Sequence, residues 1–160
     1  MGAALRGKLS WGDAVAYWVA QFGAGIVAAL AVNFIKAGAT GDVAPPPPSA
    51  IQYTVAAQLL VEFLFTFALV YMVLNTATAV GTAGNSFYGL AIGFTVVVGA
   101  IAVGPVSGGA FNPAVAVGAA AMDLAKWDKI WIPLAADFAG GVAAAFLFLA
   151  FDMGGDRRAV

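Results

Sequence analysis

Apolar residues neither alternate along this chain nor keep to one helical face; they fill whole stretches. Four stretches come near or pass the roughly 20 mostly apolar residues that a transmembrane helix needs: residues 11–35, 53–75, 87–104 and 130–151. Charge inside them is sparse. Asp13 lies near the entry of the first, Glu62 within the second, none in the third, and Asp137 in the fourth. The connections fall at 36–52, 76–86 and 105–129. The first of them holds prolines at 45–48, read as a stiff extended loop, and the second holds Gly81 and Gly84. An all-α membrane protein with four spans is predicted.

The third connection is too apolar to be an aqueous loop. No charge occurs between Glu62 and Asp123. Asn is a preferred N-cap and Pro is favoured at the first helical position, so Asn112-Pro113 reads as a helix start. The half-helix that follows, over 113–122, is about 15 Å long, half a bilayer. Ser107 to Phe111, rich in glycine, would then run extended with bare carbonyls. Irregular backbone at membrane depth is tolerated only when buried in protein or lining a water-filled cavity. The segment therefore reads as re-entrant. Its positive dipole end points at the centre of the membrane, where it holds anions or polarised solutes and disfavours cations. Asn112 can cap its own helix through oxygen and offer its NH₂ to a solute.

Composition narrows the chemistry. The chain has 160 residues, 62% hydrophobic and 9% charged, against about 25% charged in soluble domains, so a water-soluble monomer is excluded. Seven Lys+Arg against eight Asp+Glu leave no field to attract nucleic acid. There is no His and no Cys, which removes thiolate and imidazole metal sites, Ser-His and Cys-His nucleophile pairs and disulfides. No cofactor, no metal and no enzymatic chemistry are expected. Arg6 and Lys8 precede the first run as in a signal peptide, but the run exceeds the core of about 7–15 residues that such a peptide carries. Position 6 is Arg, which fails the myristoylation pattern. Arg6, Lys8, Arg157 and Arg158 fall on one side, and Lys36, Lys126 and Lys129 on the other, a lean towards cytoplasmic termini.

Small residues crowd the spans: Gly89 with Gly93, Gly140 with Ala144, Gly141 with Ala145, and Gly23 and Gly25 ahead of Ala28 and Ala29. Close helix packing is the expected reason. The alternative is that Gly89, Gly93 or Gly99 keeps a pore wall free of side chains.

The run Ser107-Gly-Gly-Ala-Phe-Asn112-Pro113-Ala114-Val115 resembles the signature of the aquaporin and glycerol-facilitator family, in which two Asn-Pro-Ala motifs meet on half-helices at mid-membrane. Tyr17 to Gly25 is similar to that family's third span, Val61 to Val70 to its fourth, and Gly84 to Gly93 to its fifth. The likeness extends from about Arg6 to Leu149. It implies an aquaporin-like bundle, a single partial transmembrane domain over 1–160, with four of six spans and one of two half-helices. Val19-Ala20-Gln21-Phe22 and Ala135-Ala136-Asp137-Phe138 match as an internal repeat. The Asn112-to-Asp137 spacing, counted back from Gln21, places a first motif before Met1, so the chain is expected to be the C-terminal part of a longer channel.

The resemblance implies a passive channel for water or small neutral solutes such as glycerol, in a homo-tetramer in the plasma or inner membrane. The lipid bilayer and the solute are its expected partners. Asn112, Pro113, Ala114, Gly108, Gly109, Val115 and Ala100 would line the pore. Where water-selective members carry Arg after the motif and His twelve positions before its Asn, this chain has Val115 and Ala100, with Gly109 at a third narrowing position. The filter has no fixed charge. Glu62 would support the re-entrant segment by accepting backbone N–H bonds, with Gln21 as a second supporting residue. Asp137 has three readings: protonated and buried, facing an oligomer interface, or bonded across to Gln21. The competing functions are a secondary transporter fragment, for which Glu62 and Asp137 are the only candidate coupling charges, and a non-transporting truncated subunit.

Overall fold

The computed structural model describes residues 1–39 and 53–155; the prolines at 45–48, Arg157 and Arg158 lie outside the described residues. Local capping chemistry sets where the long helices begin. Helix α1 (Gly2–Leu5) is a single turn. Helix α2 (Trp11–Ala37) starts at Ser10, whose hydroxyl oxygen accepts from the Asp13 N–H at 3.0 Å. Helix α3 (Val55–Ala77) starts at Thr54, which accepts from the Ala57 N–H at 3.2 Å. Helix α4 (Tyr88–Ser107) is preceded by Asn85, whose oxygen accepts from the N–H groups of Phe87 and Tyr88. Asn85 also donates to the Thr76 carbonyl at 2.6 Å, tying the start of α4 to the end of α3. Helix α5 (Pro113–Ala121) is the short one, and α6 (Trp131–Ala150) closes the bundle. Four helices among the described residues are long and apolar enough to cross a membrane.

Helix α4 continues through Pro105 to Ser107, past the end expected at 104. A proline this close to the C-terminus forfeits only one ladder bond. The helix stops instead at Gly108, whose φ of 97° is open to glycine, with its N–H donating to the Gly104 carbonyl at 2.8 Å.

Helix α3 is central, packed against α6 most extensively, then α4, with α1 at one end. Glycines set the closest approaches. A Cβ at Gly140 of α6 would lie 2.5 Å from the Phe63 carbonyl oxygen and 3.0 Å from the Phe67 nitrogen of α3. One at Gly25 of α2 would lie 2.8 Å from the Ala114 carbonyl oxygen of α5, while one at Gly118 of α5 would lie 3.1 Å from the Gly25 oxygen. Backbone thus meets backbone at both crossings, the arrangement that small residues permit in lipid. Gly89, Gly93 and Gly23, expected to serve the same purpose, meet nothing within 4 Å in the described chain. The pattern along one helix marks small residues but not which neighbour arrives.

Nothing in the sequence pattern marked α1 as an element. Its Gly2 and Ala4 are buried, and the following Arg6 ties it down. The Arg6 guanidinium donates to the Thr78 hydroxyl at 2.7 Å and to the Thr78 carbonyl at 2.9 Å, and lies 4.7 Å from the centre of the Phe148 ring. Leu74, Ala145 and Phe148 form the buried apolar cluster beside it.

Candidate pore site

The re-entrant segment is held by one carboxylate. Glu62, on α3, has no exposed surface. Its Oε1 accepts from the Ser107 hydroxyl at 2.6 Å and from the Ala110 N–H at 3.1 Å, and its Oε2 accepts from the Phe111 N–H at 2.9 Å. Ser107 in turn accepts from the Gly109 N–H at 3.2 Å. A buried carboxylate with three donors is a strong hydrogen-bonding centre, and here one comes from the last residue of α4 and two from the loop that follows it.

That loop is not the extended strand expected between Ser107 and Phe111. Gly108, Gly109 and Phe111 take φ values of 97°, 64° and 48°. The left-handed turns gather successive N–H groups onto Glu62, a long-range pull that no local pattern reveals. Phe111 is not a glycine and bears strain at that φ. Its buried ring packs against Phe65, centroids 5.4 Å apart, in the space left by the missing side chain of Gly99.

Asn112 follows in extended backbone and caps α5, its Oδ1 accepting from the Ala114 N–H at 3.0 Å. The cap occupies the oxygen and leaves the NH₂ as the group open to a solute. Pro113 occupies the first helical position, where no N–H is needed. At its other end α5 is fastened to α2: Asn33 donates its amide to the Ala121 carbonyl at 3.0 Å and the Lys36 ammonium to the Met122 carbonyl at 3.4 Å. These donors answer the orphan carbonyls and the negative dipole end.

Two cavities flank the start of α5. One, of about 290 Å³, is lined by Asn112, Pro113 and Ala114 together with Gln21, Thr66 and Asp137. The other, of about 360 Å³, is lined by Ser107, Gly108, Ala110 and Val115 together with Lys126 and Lys129. The site residues expected from the sequence are therefore divided between two sides of one helix start. Gly109 is turned inward, a Cβ there lying 3.2 Å from the Gly104 backbone. Ala100 stands on the exposed side of α4, next to buried Gly99. Phe111, Ser107 and Thr66 were not singled out by sequence reasoning; the glycine-rich run before Asn112 was the available signal for the first two. Among the described residues no group of three or more potential metal ligands occurs.

A helix start and a loop tied to a buried glutamate, among four helices long and apolar enough to cross a membrane, define an integral membrane protein with a re-entrant half-helix. The profile of the major intrinsic protein family matches residues 1–148, and the chain belongs to that family. It is similar to "Aquaporin NIP1-4" of Oryza sativa subsp. japonica, 31% identical over 98% of this chain and 56% of that protein. It is also similar to "Probable aquaporin TIP2-2" of Arabidopsis thaliana, 33% identical over 92% of this chain and 58% of that protein. A third relative, "Aquaporin NIP4-1" of Oryza sativa subsp. japonica, is 34% identical over 89% of this chain and 49% of that protein. The chain spans about half the length of these relatives.

Proposed function

We propose that this chain forms part of a passive channel that moves water or small neutral solutes, glycerol among them, along their gradients, with no covalent step. One observation carries the reading: the capped N-terminus of α5, with the Asn112 NH₂ left over, lines a cavity among helices of membrane-spanning length. Asn112 and the carbonyls of Gly108 and Gly109 would replace water's hydrogen bonds, while the dipole of α5 disfavours cations. Pro113 and Ala114 line the same cavity as Asn112, and Gly108 the cavity on the other side of the helix start. Val115, Ala100 and Gly109, the positions that the family resemblance assigns to the filter, carry no charge, which favours neutral solutes as readily as water. Glu62 and Gln21 are the supporting residues. The proposal includes spans near 11–35, 53–75, 87–104 and 130–151, a homo-tetrameric assembly, and residence in the plasma or inner membrane.

The test is osmotic shrinkage of liposomes carrying the native protein, with water and glycerol as solutes. Flux above protein-free liposomes is expected for at least one of them, and none for either would refute the reading. In the same liposomes Asn112→Asp is expected to raise cation leak by about tenfold or more, because a carboxylate focuses cations where the dipole repelled them. An unchanged leak would remove Asn112 from the solute path.

A further inference from the structure

Asp137 is the buried carboxyl that holding the loop does not use. It is 3% exposed, so it does not face an oligomer interface. Its Oδ1 accepts from the Thr66 hydroxyl at 2.9 Å, a bond to α3 rather than to Gln21. Thr66 lies one turn beyond Glu62 and so shares its face of α3. The close crossing at Gly140, one turn along α6, brings that face against Asp137. Glu62, one turn before Thr66 on that face, is the carboxyl that this register brings towards Asp137, while Gln21 and Asn112 line the same cavity as Asp137. Oδ2 of Asp137 is buried with no hydrogen-bond partner among the described residues.

An unpaired buried carboxylate oxygen is costly, and two ionised carboxylates side by side away from water are costlier. Glu62 already accepts three hydrogen bonds, so its oxygens serve as acceptors. Asp137 has a single donor, on Oδ1. A proton on Oδ2 removes both difficulties, since the orphan oxygen becomes a donor and the pair carries one negative charge instead of two. Neighbouring buried carboxyl groups share one proton in this way.

We propose that Asp137 is a carboxylic acid that donates the proton on Oδ2 to Glu62, and that this bond makes it a positioning residue for Glu62 and hence for the loop before Asn112. The proposal deepens the reading of the same site, but its first test needs no flux. In lipid, the infrared difference spectrum between wild type and Asp137→Asn is expected to contain the carbonyl stretch of one carboxylic acid, lost in the variant. Thr66→Val removes the donor to Oδ1 and is expected to move that band to higher frequency. Absence of the band, or its persistence in Asp137→Asn, overturns the proposal; so does a band that Thr66→Val leaves unmoved, which also serves if Asp137→Asn fails to fold.

The positioning role is read from flux. Asp137→Asn, whose N–H can still donate to Glu62, is expected to keep wild-type permeability within about twofold, whereas Asp137→Leu loses about tenfold, the weight of one hydrogen bond. Equal losses in both variants overturn the role. A wild type without flux refutes the channel reading and, with it, positioning for flux, while the infrared band still decides whether Asp137 is the protonated acid.

Discussion

Glu62 gathers three donors from one short stretch of chain. Glu62→Gln keeps the shape but turns one acceptor into an NH₂ that faces donors. A lost charge-assisted bond and an unsatisfied buried donor together cost about 3 kcal/mol. We expect a clearly lower melting temperature in detergent by circular dichroism; an unchanged one would mean that the loop is held by other contacts. At this scale legibility followed the range of the interaction. Asn112-Pro113 reads as a helix start because capping is decided within three residues. The donors of Glu62 come from 45 to 49 positions away, and the left-handed turn at Phe111 exists only because they are drawn in. Neither has a local pattern.

Between elements, the crossing of α2 and α5 rests on two glycines. Gly25→Val would drive side-chain atoms into the Ala114 carbonyl, 2.8 Å from where a Cβ would sit. Overpacking of this kind costs about 1–3 kcal/mol. We expect lowered thermal stability for Gly25→Val and a change within about 0.5 kcal/mol for Gly89→Ala, as befits a position away from packing contacts. Equal effects would show that the crossing does not depend on close backbone approach. The existence of the helices was legible, since length and apolarity suffice to mark a span. Their pairing was not: Gly23 and Gly25 look alike in the sequence, yet one faces open space and the other supports α5.

Across the whole molecule, Arg6 connects the first turn of the chain to the ends of α3 and α6. It is a cation 7% exposed, satisfied by Thr78 and stacked on Phe148. Arg6→Leu is expected to release α1 while the long helices persist, seen as amide exchange at residues 4–7 faster by about tenfold or more, since at least two hydrogen bonds are lost; unchanged exchange would place the anchor elsewhere. As a sequence feature Arg6 was only one positive charge in an orientation count. Its structural use depends on residues more than 70 positions away, brought near by the packing of α3 on α6.

Glu62 grips main-chain N–H groups, which every residue but proline supplies. The loop before Asn112 is thereby fixed in length and lenient in spelling at Ala110, whose side chain the grip ignores. A saturation library at Ala110 should tolerate varied residues and reject Ala110→Pro, and a one-residue insertion there should be as damaging as losing Glu62. That leaves Ala110, on the wall of the 360 Å³ cavity, as the place where new side chains can be introduced to retune permeation without dismantling its frame.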